Sequence, residues 1–271
     1  MCKIMALAGV KKENAPNVEK LAKTILPYMT AQDNDAVGYA AFKDRLYGER
    51  WLNVNNALKV RPTPLLKTTN FNLERKLSAE RYNRFGDRHG GNHLSSMILH
   101  SRFATCGAGL ENTHPFVSED KKTALIHNGV VNTRGLTLKN STCDSEGILN
   151  EYLKHNVSNN PDNIQEVFNK VKGAFACAVL TEDYSGRKYM DLFRNDQYPT
   201  LYTCYVNEVD TLVFCTDPAM LENAVQDLGW SMENILYIED NTYLRLDAKT
   251  GEVIISKEVK KQRASKRKRK K

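Results

Sequence analysis

The residue with the clearest chemical potential is Cys2, which follows the initiator methionine in the opening stretch MCKIMALAGV. Removal of Met1 would leave a free α-amine beside the thiol. An α-amine has a pKa near ~7.7–8.0, so it can act as a base around neutral pH. Nucleophile and base would then belong to one residue. The alternative is a buried structural cysteine, because free cysteine is among the most buried residue types.

Two charged residues could recognise a substrate. Arg102 lies in HSRFATCGAGLENTHPF (100–116), at the end of an apolar run and before a glycine-containing turn. A guanidinium group binds carboxylates bidentately, although a surface salt bridge is the commoner role for arginine. Asp144 precedes an apolar stripe with helical spacing. It is therefore either a helix N-cap or a partner for a substrate ammonium group.

The segment IHNGVV (126–131) contains an Asn-Gly pair, Asn128 and Gly129, between apolar residues. The simplest interpretation of this pattern is a hairpin turn. The functional alternative is an oxyanion hole, in which the asparagine amide and the glycine N–H converge on a developing negative charge.

Apolar runs of strand length dominate the chain, and stretches with helical spacing interrupt them. Strands are predicted over 4–10, 36–42, 95–105 and 123–129 and in seven runs after residue 172, and helices over 18–29, 144–153, 162–171 and 217–228. Residues 49–92 are polar and poorly periodic, which is typical of a loop, with a helix expected near 73–84. This pattern favours a sheet-rich, layered α+β domain.

The composition is that of a globular protein from a reducing compartment. The 271 residues are 41% hydrophobic, enough for a packed core. No stretch approaches the ~20 apolar residues that cross a bilayer, and no signal peptide is evident. The six cysteines form no CxxC pairs, which argues against a disulfide framework or a zinc site. We therefore expect a cytoplasmic protein with no membrane contact, no metal and no cofactor.

The net charge of +7 comes from the end of the chain. Residues 257–271, KEVKKQRASKRKRKK, carry ten Lys/Arg and one Glu, so the preceding residues sum to −2. Like charges at this density repel one another, and we expect a disordered basic tail. Such a tail could bind nucleic acid or an acidic partner through its charge, or serve as a localisation signal.

Taken together and in order, these segments resemble the class II glutamine amidotransferases. The family pattern is a Met-Cys start, then DSxG, HxRWATxG with a later HP, HNGxxxN and SDTE. The matching segments here are Cys2, DNDAVGYA (33–40), HSRFATCG with NTHP, HNGVVN and CDSE. The resemblance covers roughly residues 2–255, with 49–92 fitting poorly. It implies a single α+β domain, a four-layer αββα sandwich of the N-terminal nucleophile hydrolase type.

The resemblance also implies a reaction. Cys2 would attack the side-chain amide of L-glutamine, form a thioester and release ammonia, after which water would release glutamate. Asn128 and Gly129 would hold the oxyanion. Arg102 would bind the α-carboxylate and Asp144 the α-ammonium group of glutamine, with Thr105 lining the same pocket.

The sequence departs from the family pattern at three positions near these motifs. Lys3 stands where the family usually has glycine, and a lysine there could lower the pKa of the thiol. Phe103 replaces the usual tryptophan. Cys106 replaces a histidine found in several members, and we assign it no role.

Three functions remain open at this point. The first is a glutaminase subunit that passes ammonia to a separate synthetase or transferase, because the short stretch after the last predicted strand has no room for a second catalytic domain. The second is a stand-alone amidohydrolase for a γ-glutamyl or related amide. The third is an inactive scaffold that binds nucleic acid through residues 257–271.

Overall fold

A computed structural model describes residues 2–30, 36–52, 93–103, 107 and 109–260. The strands in these ranges are β1 (Lys3–Ala8), β2 (Ala36–Phe42), β3 (Leu46–Leu52), β4 (Ser96–Arg102), β5 (Phe116–Val117), β6 (Thr123–Asn132), β7 (Lys172–Glu182), β8 (Lys188–Arg194), β9 (Tyr202–Val206), β10 (Thr211–Cys215), β11 (Met232–Tyr237), β12 (Thr242–Asp247) and β13 (Val253–Glu258). The α-helices are α1 (Ala15–Thr30), α2 (Asp144–Lys154), α3 (Ile164–Lys170) and α4 (Pro218–Asp227). Short 3-10 turns occupy Lys12–Asn14, Leu110–Asn112 and Pro161–Asn163.

The strands form two antiparallel sheets. The first has the order β11-β9-β10-β1-β4-β2-β3, and the second has the order β13-β12-β8-β7-β6-β5. Strand β1 therefore lies inside the first sheet between β10 and β4. Strand β6 lies in the second sheet between β5 and β7. The predicted sheet-rich α+β class is confirmed.

Three hydrophobic cores define four layers. Side chains alternate along β1, because successive residues of a strand point to opposite faces. Met5 and Leu7 pack with the buried faces of α1 and α4, whereas Ile4 and Ala6 pack against the second sheet. The third core lies between the second sheet and helices α2 and α3. The order helix, sheet, sheet, helix is the αββα sandwich that the resemblance implied.

The predicted helices lie close to the observed ones. In α1 the buried residues recur at the spacing seen in the sequence, and Asp217 caps α4 by accepting a hydrogen bond from the Ala219 N–H at 3.2 Å. The helix predicted from 162 begins at Ile164, after the 3-10 turn Pro161–Asn163. Asn160, not Asp162, caps the 3-10 turn before α3, and its side chain accepts from the Asp162 N–H at 3.2 Å. The Asp162 carboxylate instead pairs with Lys257.

A buried ion pair joins β8 to β12 beside the third core. Asp191 accepts hydrogen bonds from the Arg245 Nε and Nη2 atoms, both at 2.7 Å. The hydroxyls of Tyr152 and Tyr243 donate to the same carboxylate at 2.6 and 2.9 Å. Because Asp191 and Arg245 are almost fully buried, these bonds replace the water that the two charges lose on folding.

Two boundaries differ from the sequence prediction. Strand β3 runs to Leu52, so the segment predicted as a loop from residue 49 begins with the end of a strand. The pattern of apolar and polar residues in the sequence did not reveal this strand, which is paired along its length with β2. At the other end, Lys257 and Glu258 belong to β13, and Val259 is buried in the third core. Residues 257–259 are therefore part of the folded domain and not of the predicted tail. The helix expected near 73–84, the rest of 53–92 and residues 261–271 lie outside the described residues.

Candidate active site

Cys2 lies at the start of β1, between the two sheets and against the end of β4. Its Sγ atom accepts a hydrogen bond from the Phe103 N–H at 3.3 Å and lies 3.5 Å from the Phe103 carbonyl oxygen. The side chain is half-buried. Among the described residues the other free cysteines, Cys143, Cys177, Cys204 and Cys215, are all buried. The position of Cys2 therefore differs from the buried structural cysteine that the sequence left open.

Arg102 is the last residue of β4 and lies in the interior, with 3% of its surface exposed. Its guanidinium donates to the Gly107 carbonyl at 2.5 Å, which ties the turn after β4 to the end of the strand. The alternative of a surface salt bridge is therefore wrong. Thr105, predicted to line the same pocket, and Cys106 lie outside the described residues.

Asn128 and Gly129 lie in the middle of β6, opposite Ala176 and Phe175 of β7. The hairpin interpretation is therefore wrong. Gly129 has a φ of +135°, a conformation that side-chain-bearing residues rarely adopt. A Cβ atom built there would lie 2.1 Å from the Ala174 carbonyl oxygen. Only glycine fits at this position, and its unusual backbone changes the direction of its N–H relative to a regular strand.

Asp144 is the first residue of α2, and the cap position belongs to Cys143, which makes no side-chain capping bond. The Asp144 Oδ2 atom accepts a hydrogen bond from the Val131 N–H at 2.8 Å. This bond fixes the carboxylate beside β6, three residues after Asn128. The N-cap interpretation is wrong, because the carboxylate bonds to the backbone of β6 instead.

Cys2 and Asn128 line one cavity of about 240 Å³ between the sheets. Its remaining walls come from the start of β1, the β8–β9 connection and the start of α4, through Lys3, Tyr198, Pro199, Thr200, Tyr202, Thr216, Asp217 and Pro218. A larger cavity of about 530 Å³ lies outside β5 and α2 and contains none of the predicted site residues. The smaller cavity is therefore the chemically relevant one.

The pKa of the Cys2 thiol depends on its burial and on the neighbouring residues Phe103, Arg102 and Asp144. Burial raises the pKa of Cys2, while the Phe103 N–H and the charge of Arg102 lower it and the charge of Asp144 raises it again. Arg102 at the end of β4 and Asp144 at the start of α2 therefore both lie near enough to affect the Cys2 thiol. The net effect keeps the sulfur as a thiol at neutral pH, so an attack on an amide requires a base.

Three buried histidines support the site from behind. The Ser145 hydroxyl contacts His114 Nε2 at 2.8 Å and His127 Nδ1 at 2.9 Å, and His100 Nε2 lies 3.0 Å from the His127 carbonyl oxygen. Burial lowers the pKa of all three, that of His100 to about 3, so they are uncharged at neutral pH. Because Ser145 follows Asp144, this network holds the start of α2 against β6.

Sequence reasoning did not find this network or the ion pair between Lys3 and Asp217. The available sign of the histidine network in the sequence was that the three histidines lie within the motifs. The partner of Lys3 lies 214 residues away in the chain, and no local pattern marks it. Within the described residues, no group of three or more His, Cys, Asp or Glu is placed to hold a metal ion, and none of the helices is long and apolar enough to cross a membrane.

Comparison with known proteins begins with the fold. The chain superposes on the glutamine phosphoribosylpyrophosphate amidotransferase of Bacillus subtilis with a TM-score of 0.60 and 16% identity, and on a structure described as the allosteric regulatory enzyme of purine biosynthesis with a TM-score of 0.63 and 16% identity. Each match covers 96% of this chain and 49% of the solved one. The chain thus has the N-terminal nucleophile hydrolase fold and spans about half the length of these structures.

Sequence comparison gives the class within that fold. The chain is 36% identical over 103 residues to the glutamine–fructose-6-phosphate aminotransferase of Bacteroides thetaiotaomicron and 32% identical over 98 residues to the amidophosphoribosyltransferase of Staphylococcus aureus. Each alignment covers 32% of this chain, and they cover 16% and 20% of the two relatives. No protein-family model matches the chain. The predicted resemblance to the class II glutamine amidotransferases is confirmed over 32% of this chain.

Proposed function

We propose that the chain is a glutaminase that hydrolyses L-glutamine to glutamate and ammonia through a thioester on Cys2. The observation that carries this proposal is the cavity that Cys2 and Asn128 line together, with the charges of Arg102 and Asp144 acting on the thiol. These charges are opposite in sign and suit the two charged ends of a free amino acid. A glutamine inside a protein has neither end free, so the site favours free glutamine.

The reaction would proceed in two halves. After removal of Met1, the α-amine of Cys2 takes the thiol proton as the sulfur attacks the side-chain carbonyl carbon of glutamine. The Asn128 side-chain amide and the Gly129 N–H hold the resulting oxyanion. The carbon–nitrogen bond then breaks, and the amine returns the proton to the departing ammonia. In the second half, water attacks the thioester, passes a proton to the amine and releases glutamate, with the thiol restored.

The test is glutamate and ammonia release from L-glutamine by the purified protein, with intact mass establishing that Met1 is absent. Cys2→Ala is expected to abolish turnover. Cys204→Ala is the matched control, because Cys204 on β9 is buried in the first core, where its thiol contacts the Val213 carbonyl, and it does not line the cavity. Turnover by Cys2→Ala at the rate of the control would refute the proposal.

A second candidate is hydrolysis of an N-substituted γ-glutamyl amide by the same residues. The cavity of about 240 Å³ supports it, because its walls extend from Cys2 to Tyr198 and Tyr202. The walls formed by Tyr198 and Tyr202 could accommodate a larger leaving amine. Comparison of kcat/KM for glutamine with that for γ-glutamyl methylamide and γ-glutamyl anilide separates the candidates. A clear preference for a larger amide would replace the first assignment.

The use of the ammonia is a further part of the proposal. Free ammonia is lost to water, so we propose that a separate synthetase or transferase accepts it, and the names of the similar amidotransferases support this. Glutamine turnover is expected to rise when the acceptor enzyme is added. The proposed binding of nucleic acid by the basic tail has no supporting observation in the described residues, which stop at 260.

A further inference from the structure

The start of β1 is held differently on its two sides. Towards β4, regular pairing begins at Lys3, opposite Ser101. Towards β10, regular pairing begins only at Met5, opposite Cys215. The two residues that follow Cys2 in the chain are therefore not covered by the β1–β10 ladder, and other groups must hold them on that side.

The residues after Cys215 take over this role. Ile4 donates its N–H to the Thr216 Oγ1 atom at 3.0 Å and accepts from the Thr216 N–H at 3.2 Å. The Thr200 hydroxyl in turn donates to the Thr216 carbonyl at 2.9 Å. Thr216 thus holds Ile4 through one side-chain and one backbone hydrogen bond.

Lys3 is held by Asp217, the residue that follows Thr216. The Lys3 Nζ atom makes an ion pair with Asp217 Oδ2, while Oδ1 of the same carboxylate accepts the Ala219 N–H at the start of α4. A carboxylate at this position is further stabilised by the positive end of the helix. The side chains of Lys3 and Asp217 are 16% and 33% exposed, so water screens the pair less than a surface pair.

Helix α4 is a firm anchor for this ion pair. Its inner face, through Met220, Leu221, Ala224 and Val225, is buried in the first core. Lys3 and Asp217 line the same cavity as Cys2 and Asn128. The chain therefore connects a packed helix, through one ion pair, to the residue next to the proposed nucleophile.

We propose that Lys3 and Asp217 are positioning residues, a clamp that holds the start of β1 so that Cys2 stays against Phe103 and facing Asn128. The proposal rests on the proposed function, in which Cys2 becomes the first residue of the chain. Terminal residues fray unless they are tied down. Where similar amidotransferases have glycine after the nucleophile, this chain has a lysine that an anchored carboxylate fixes.

The test compares four single variants, one of them a control, and the double variant that combines Lys3→Met with Asp217→Asn, each checked by intact mass for removal of Met1. Lys3→Met keeps the length of the side chain and removes its charge. Asp217→Asn keeps a good N-cap and removes the other charge. Lys3→Arg keeps the charge. Lys11→Met is the matched control, because Lys11 pairs with Asp210 at the opposite end of β1, with a similar span between β1 and β10.

We expect Lys3→Met and Asp217→Asn each to lower kcat for glutamine by roughly 10- to 100-fold, the scale of a nucleophile displaced by about 1 Å. KM should stay within about twofold, because Arg102 and Asp144 still bind glutamine. The double variant should be no slower than either single one, since both changes break the same contact. Lys3→Arg should recover most of the activity, and Lys11→Met should match the wild type.

Wild-type kcat in Lys3→Met, or multiplied losses in the double variant, would overturn the proposal. If the wild-type protein releases no ammonia from glutamine, the proposed function fails. Hydrogen exchange of the peptide 2–8 then tests separately whether the ion pair holds the start of β1. The Ile4 amide is expected to exchange faster in Lys3→Met and Asp217→Asn than in Lys11→Met. Equal exchange in all three variants would refute the clamp.

Discussion

Gly129→Ala is the substitution for which the structure gives the most definite expectation. The added Cβ would lie 2.1 Å from the Ala174 carbonyl oxygen, whereas ordinary van der Waals contact begins at 3.4 Å. Strand β6 or β7 must therefore move by about 1.3 Å at this point. The φ of +135° adds strain of about 1–3 kcal/mol for any residue with a side chain.

The expected result is a loss of both stability and turnover. Displacement of about 1 Å at a reacting centre costs about 100-fold in rate, and loss of an oxyanion donor costs about 100- to 1,000-fold in kcat. We therefore expect kcat for glutamine to fall at least 100-fold, measured on protein whose folded fraction is known from urea unfolding. The free energy of unfolding should fall by more than the strain alone.

Two other glycines separate the contributions. Gly186 has a φ of +81° and no atom within 4 Å of an added Cβ, so Gly186→Ala carries the strain without the clash. Gly173→Ala produces a similar clash with the Val130 carbonyl, in the same ladder but away from Asn128. We expect Gly186→Ala to keep wild-type kcat and Gly173→Ala to lose stability with a smaller loss of kcat. Near-normal turnover by folded Gly129→Ala would refute the assignment of this amide.

Other residues give further predictions. Asn128→Ala should lower kcat by about 100- to 1,000-fold with little change in melting temperature, since the side chain would act mainly on the oxyanion. Asp191→Ala should lower the free energy of unfolding by about 3–5 kcal/mol, because it leaves Arg245 charged and buried without its partner; urea unfolding measures this. His100, with a pKa of about 3 when folded, binds its proton more readily when unfolded, so its stabilisation is complete above pH 6.5 and decreases as the pH falls towards 3. At pH 4.5 the loss is on the order of 3 kcal/mol, and unchanged urea midpoints between pH 7 and 4.5 would contradict it.

The layers of the fold could be predicted because local patterns encode them. Helices α1, α2 and α4 follow from apolar residues at helical spacing, and the strands from apolar runs of the right length. The order of the strands could not be predicted in this way. Strand β1 lies between β4 and β10, and the residues of these two strands that pair with β1 are about 90 and 210 residues away in the chain. The resemblance to a known family gave the four layers, but the strand order comes from the structure alone.

The predicted site could be read from residue types, but its orientation could not. Gly129 is marked by its sequence only as part of an Asn-Gly pair, a signal that favours a hairpin, and the structure places it inside a strand. Asp144 looked like a helix cap, and its carboxylate instead accepts from the N–H of Val131. In both cases a contact with a neighbouring element overrides the local preference.

The state of the Cys2 sulfur bears directly on the mechanism. Burial raises the pKa of the thiol, and the opposing effects of the Phe103 N–H and Arg102 do not reverse this. A preformed thiolate is therefore not the resting state, and attack on an amide needs a base within reach. The buried histidines make poor bases, since burial favours their neutral form but disfavours the charged form that a base becomes on accepting a proton. An α-amine on Cys2 has a suitable pKa and needs no second residue, which makes removal of Met1 the step on which the proposed activity depends.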